Sequence, residues 1–214
     1  LKGFLLRHGY RYQGKANWSD AHQRYLRELV LPVPALKAVL EEYLLAITHA
    51  TERVARLEAL IEAQVPEWRF YPAVQALMCL RGIQLTAATV LISEVGDIHR
   101  FRHPRQLMGF LGLVPKEDSS GGTRRVGSIT KAGNAHARWI LIEIVQHAFL
   151  PPKVSSQLAL RQQGQPGAYR ELAWKVQVRL HKRAWHLLSR GLMRQKVTVA
   201  LAREMCGFVW DLLR

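Results

Sequence analysis

The stretch Gly112-Leu113-Val114-Pro115-Lys116-Glu117-Asp118-Ser119-Ser120-Gly121-Gly122-Thr123-Arg124-Arg125-Val126-Gly127-Ser128-Ile129-Thr130-Lys131-Ala132-Gly133-Asn134 interrupts two runs of helically spaced apolar residues. Everywhere else the apolar spacing is helical and nothing reads as a multi-stranded sheet. The fold is therefore expected to be mainly all-α, with room for a small β-hairpin over Gly121–Ile129 and no more. The stretch also carries candidate chemistry. Gly121 and Gly122 let backbone amides approach an anion without a Cβ in the way. Arg124, Arg125, Lys116 and Lys131 supply the cations a phosphate needs. A hydroxyl of Ser119 or Ser120 in that setting is a candidate nucleophile. On the residues alone, a polar loop whose serines serve turns and caps is the competing reading.

Composition narrows the partner. The 214 residues are 49% hydrophobic, an ordinary globular content, yet the formal net charge is +15. Such an excess points to a polyanion, and its placement is uneven. Residues 1–71 carry 10 Lys+Arg against 8 Asp+Glu, residues 72–150 carry 9 against 5, and residues 151–214 carry 12 against 3. The last third thus reads as a phosphate-facing surface, with nucleic acid as the expected partner. Cys79 and Cys206 form no C-x-x-C pair, so a disulfide scaffold and a zinc knuckle are not expected. No apolar run reaches membrane-spanning length. A cytoplasmic location with no membrane partner is the expectation, and the family resemblance given below adds a bacterial, nucleoid-associated one.

Working outward, residues 1–70 read as a linker and a helical arm. Ser19 is a candidate N-cap for Asp20–Leu29, and Pro34 suits a helix first turn. From there Leu36, Leu40, Tyr43, Ile47, Ala50, Val54, Leu57 and Ile61 recur in alternating steps of four and three. This is a heptad seam, readable as a coiled-coil arm that makes a homo-oligomer or as one amphipathic helix on its own core. Residues 71–214 read as the second domain. Over 73–96 the order of helix, Arg81-Gly82-Ile83-Gln84 and helix resembles a helix-hairpin-helix. In that motif turn amides bind a backbone phosphate, here nominating Gly82. Any αα-hairpin also needs a glycine there. The serine loop occupies 112–134. Lys131 or Asn134 opens the next helix, which ends near Leu150. Residues 153–168 read as a loop. Basic helices fill 169–214, with Trp174 and Leu180 expected in the core and Lys175, Arg179, Lys182 and Arg183 facing phosphate. Asn134 and Arg138 join the candidate nucleic-acid contacts. His99 and His103 are not expected to bind metal, because Pro104 and the turn context break their helical spacing.

Taken in order, these segments resemble the C-terminal half of transposases of the insertion-sequence 110/116/902 family. The resemblance is carried by Leu80-Arg81-Gly82-Ile83, Glu94-Val95-Gly96-Asp97, Pro104-Arg105-Gln106-Leu107-Met108 and Gly112-Leu113-Val114-Pro115. It continues through Ser119-Ser120-Gly121-Gly122, Gly127–Asn134 and Ala202–Trp210. It implies a two-part DNA recombinase: an N-terminal RuvC-like domain with a DEDD metal-binding set, and a C-terminal domain with a nucleophilic serine. A coiled-coil arm joins them, and some members use a structured guide RNA. The family's serine precedes a glycine, which maps it to Ser120, with Ser119 as the alternative. This chain shows no RuvC-like carboxylate pattern, so it reads as a fragment. The resemblance then implies no cofactor in this chain, Mg2+ only with the other domain, and no activity for this chain alone.

Overall fold

In a computed structural model, backbone is described for residues 1–120 and 123–214, and side chains for all but 117–126. The chain forms ten α-helices and one two-stranded hairpin among these residues, so it is mainly α-helical. It divides into two compact units, Leu1–Leu60 and Ile61–Arg214.

In the first unit, α1 (Lys2–Arg7) and α2 (Asp20–Glu28) precede the long α3 (Pro34–Gln64). Ser19 caps α2 by accepting a hydrogen bond from the His22 amide at 3.3 Å. Phe4, Leu5, Leu26, Leu31 and Leu40 form this unit's small core. The seam of α3 is not used evenly. Leu40 is buried, whereas Tyr43, Val54 and Leu57 are exposed. The steps of four and three give one continuous helix, and its second half presents an apolar stripe within this unit.

The second unit begins with α4 (Tyr71–Met78) and α5 (Leu85–Val95), joined by a turn in which Gly82 takes φ +88°. A 3-10 turn over Ile98–Arg100 leads to α6 (Pro104–Phe110). His103 accepts from the Arg105 amide at the start of α6, and His99 Nδ1 lies 2.9 Å from Asp97 Oδ1. Both rings are therefore engaged in local capping. Strands β1 (Pro115–Ser120) and β2 (Thr123–Ile129) pair antiparallel. The hairpin thus starts six residues earlier than Gly121, and it stands as a two-stranded ribbon among helices. Next come α7 (Ala135–Ile144), a 3-10 segment over Val145–Phe149, α8 (Ser156–Gln162), α9 (Gly167–Ser189) and α10 (Arg194–Leu213).

One core binds this unit. The buried face of α10, Val197, Leu201, Ala202, Met205, Cys206 and Val209, follows the helical repeat and packs against α4, α6, α7 and α9. Each fully buried leucine contributes about 1.5–3 kcal/mol.

Two sequence expectations are corrected here, and a third is narrowed to one of its two alternatives. Residues 153–168 contain α8, because Ser155 caps Leu158 and Leu158 is buried. Polar contacts complete its docking: Gln162 Nε2 donates to the Cys79 carbonyl at 2.8 Å and Arg161 Nε to the Met78 carbonyl at 3.1 Å. These carbonyls end α4 and lack helical partners, so the docking satisfies them. Trp174, expected in the core, is 49% exposed, while Leu180 beside it is buried. Lys131 does not open α7. It holds a left-handed conformation (φ +57°), and Asn134 caps the helix by accepting from the Ala137 amide at 2.9 Å.

Candidate nucleic-acid interface

The hairpin is rooted by a tight backbone crossing. Leu113 N donates to Met108 O, Thr130 N to Val114 O, Lys131 N to Gly112 O and Asn134 N to Phe110 O, all at 2.8–3.1 Å. The two chain segments approach so closely that glycine is required on each. A Cβ on Gly112 (φ +64°) would meet the Ala132 carbonyl, and one on Gly133 (φ +127°) the Phe110 carbonyl. Arg138 reaches up from α7 and donates from Nη1 to the Leu111 carbonyl at 2.8 Å. This candidate phosphate ligand therefore ties down the hairpin root.

Asn134 is similarly committed. Beyond its cap, its Nδ2 donates to Glu94 Oε2 at 2.6 Å, and His136 Nδ1 lies 2.8 Å from Glu94 Oε1. The Asn134 hydrogen bond, then that of His136, holds the Glu94 carboxyl below its ordinary range. The His136 ring lies nearly parallel to Trp139, at 16° and 6.3 Å between centroids. Glu94 belongs to one of the family-like segments, and local sequence assigns it no role. Its value depends on α5 meeting α7, a contact between residues 40 apart that no local pattern announces.

The hairpin pairs Ser120 with Thr123, Ser119 with Arg124 and Asp118 with Arg125 in register. The side chains of Ser119, Ser120, Arg124 and Arg125 lie outside the described residues, as do Gly121 and Gly122 altogether. Lys116, exposed, stands at a register shift between Pro115 and Glu117. Such bulges bend and twist a ribbon locally.

The α4–α5 turn lies against the 3-10 segment after α7. A Cβ on Gly82 would meet the His147 ring at 2.7 Å and the Ile144 carbonyl at 2.9 Å. Packing as well as positive φ demands glycine there. Burial, then the nearby Arg81 charge, pushes the His147 imidazole below its usual value. Arg81 Nη1 donates to the Pro151 carbonyl at 2.6 Å.

The remaining cationic candidates share α9. Lys175, Lys182 and Arg183 are exposed along it, and Arg179 pairs through Nε with Glu204 of α10. The sequence-nominated residues thus occupy three places within the second unit: the hairpin and its root, the α4–α5 turn, and α9. Among the described residues, no three His, Cys, Asp or Glu side chains cluster as a metal ion would require. No helix among them is long and apolar enough to cross a membrane.

The second unit is thus a helical domain from which one rooted two-stranded hairpin departs, with Lys116 and Lys131 at its base. Residues 74–157, from α4 through the hairpin into α8, match the Transposase IS116/IS110/IS902 family. A putative transposase of Sinorhizobium fredii, y4qE, is 39% identical over 214 residues, the whole of this chain and 52% of that relative. The transposase for insertion sequence element IS1111A of Coxiella burnetii is 40% identical over 68 residues, 32% of this chain and 19% of that relative. A probable family 20 transposase of Pseudomonas aeruginosa is 37% identical over 112 residues, 52% of this chain and 32% of that relative. The chain therefore spans about half of the Sinorhizobium relative and less of the other two.

Proposed function

We propose that this chain is the C-terminal, DNA-binding and strand-exchanging part of an insertion-sequence transposase. The observation that carries the reading is the family match over residues 74–157, which contains the hairpin and its root together with the α4–α5 turn. In this reading Ser120, or its neighbour Ser119, is the nucleophile. Its Oγ attacks a DNA phosphorus, the P–O bond to the leaving strand breaks, and a phosphoserine ester forms. The hydroxyl proton passes to a base, and the departing oxygen gains one. Attack by the hydroxyl of another strand reverses these steps and releases the serine. The ester conserves the phosphodiester linkage, so no nucleotide hydrolysis is needed. Arg124, Arg125, Lys116 and Lys131 offset charge on the pentavalent phosphorus, and the amides of Gly121 and Gly122 add donors.

The register supports the cationic part of this reading, since Arg124 and Arg125 are the cross-strand partners of Ser119 and Asp118. Gly82 of the helix-hairpin-helix-like turn and the cations of α9 contribute phosphate contacts away from the reacting atoms. The exposed half of the α3 seam makes a coiled-coil homo-oligomer. A RuvC-like domain elsewhere in the full protein supplies the Mg2+ chemistry, and a guide RNA is a partner of the assembled protein.

The test joins the chain to a RuvC-like domain from a relative and presents element-end DNA, RNA and magnesium. Mass spectrometry then seeks a DNA adduct on the Ser119/Ser120 peptide. An adduct on Ser120 that disappears in Ser120→Ala, with DNA binding kept, is the expected result. Binding without any adduct, while an intact relative reacts in parallel, leaves a non-catalytic DNA- or RNA-binding and dimerisation module.

A further inference from the structure

The exposed face of α9 holds more than cations. Trp174 is 49% exposed and Trp185 is 53% exposed. They are eleven residues apart, which places them on one stripe about 20° out of line and about 16 Å apart along the axis. Lys175 and Lys182 line one side of that stripe, about 60–100° round the helix, with His186 just beyond them, all exposed. The opposite face of the same helix, Ala173, Val176, Leu180, Ala184 and Leu187, is buried in the core. The platform is therefore rigidly held and the tryptophans contribute little to the core.

Trp185 meets the His181 ring edge-to-face at 6.3 Å between centroids and keeps about half of its surface exposed. Trp210 donates its ring N–H to the Phe101 carbonyl at 2.7 Å, but Trp174 and Trp185 make no such bond among the described residues. Exposed indoles interleaved with cations are the composition of a base-stacking surface. The surrounding charge selects the partner. Residues 151–214 hold 12 Lys+Arg against 3 Asp+Glu. Of those three acids, Glu204 pairs with Arg179 and Glu171 sits one turn before Trp174.

We infer that this face of α9 binds single-stranded DNA, with unpaired bases stacked on Trp174 and Trp185 and phosphates on Lys175 and Lys182. Alternating aromatic and cationic groups are what a sequence-tolerant single-strand platform requires. Duplex DNA gives an indole nothing to stack on, because its bases are stacked on one another. At a stacked spacing of about 3.4 Å per nucleotide, the two indoles span about five nucleotides. DNA is favoured over RNA because Gln177, the amide side chain between the tryptophans, is buried and accepts from the Lys153 amide, out of reach of a 2′-hydroxyl. The inference rests on the proposed function only in taking nucleic acid as the partner. A strand-exchanging protein must hold strands that have left the duplex.

The test measures binding of the 214-residue chain to fluorescent 12-nucleotide single-stranded DNA, the matching duplex and the matching RNA. Trp174→Ala and Trp185→Ala are compared with Lys182→Ala. Each tryptophan variant is expected to weaken single-stranded DNA binding roughly ten- to hundredfold and to leave duplex binding within about twofold. Lys182→Ala is expected to weaken both and to lower the salt dependence of each. Equal losses on single strand and duplex, or no loss, overturn the inference. A loss confined to RNA overturns the assignment to DNA. Self-association of the parent chain that vanishes in the tryptophan variants overturns it in favour of a second copy. If the parent binds duplex but no single strand, this inference alone fails. If it binds no nucleic acid, the proposed function fails with it.

Discussion

Glu94 Oε1 and His136 Nδ1 lie 2.8 Å apart, and Glu94 Oε2 accepts from Asn134 at 2.6 Å, so one carboxylate joins the end of α5 to the start of α7. Asn134 is also the helix cap, and its amide donates into the hairpin root at Phe110. The hairpin is thereby anchored, through two residues, to the core helices that carry it.

This arrangement sets an acid limit. Glu94 titrates below its ordinary value of 4.5 in the folded protein, so as pH falls the unfolded chain takes up that proton first. Its stabilisation is present above pH 4.5 and is lost as pH drops through the folded value. Thermal melts from pH 6 to pH 3 are expected to fall less steeply for Glu94→Gln than for the parent. Identical slopes would mean that the carboxylate is not held as described.

The hairpin root makes a glycine prediction with an internal control. Gly112→Ala and Gly133→Ala each combine positive φ with a clash against backbone carbonyl oxygen, and each is expected to destabilise by about 2–4 kcal/mol. Gly109→Ala, inside α6 with nothing within 4 Å of the new Cβ, is expected to be neutral or to stabilise by up to about 1 kcal/mol. Urea titrations decide this. A Gly109 variant as damaged as the other two would refute the packing argument.

Both cysteines are buried and free. Burial pushes the Cys206 thiol up to about 12 and raises that of Cys79. At pH 8 the thiolate fraction of folded Cys206 is about one in ten thousand. A disulfide reagent is expected to label neither cysteine until denaturant is added. Rapid labelling of the native chain would show that the core of α10 opens readily.

On α3, Ile47→Asp and Val54→Asp place charge on a stripe that is half-buried to exposed within its own unit. The helix is expected to survive, with unchanged circular dichroism, while any oligomer converts to monomer in light scattering. Unaltered assembly would remove this seam from the oligomer interface. As a contrast, Leu201→Ala in the buried face of α10 is expected to cost about 2–5 kcal/mol regardless of assembly.

Much of this architecture was legible in local pattern. Ser19, Asn134 and Pro34 stand where their chemistry puts helix starts, and the buried residues of α9 and α10 keep the 3.6-residue repeat. Helix α8 was not legible, because it docks through Gln162 and Arg161 onto the carbonyls of Met78 and Cys79, more than 80 residues away. Polar side chains that read as loop become anchors only when a helix end is left open beside them. Trp174 misled for a related reason: hydrophobicity names a residue type, and the helix face decides its use.

The class of fold, the uneven positive charge and the Gly112–Asn134 segment with its serines and glycines can be read from the amino-acid order alone. Those follow from composition and from short-range steric and hydrogen-bonding preferences, which are encoded residue by residue. Tertiary structure decided which polar groups remain free for a ligand. Arg138 and Asn134, nominated for phosphate, are drawn into the hairpin root, while Trp174 and Trp185 are left outside. The reason is that a side chain's availability depends on which carbonyls and carboxylates distant elements bring within about 3 Å of it.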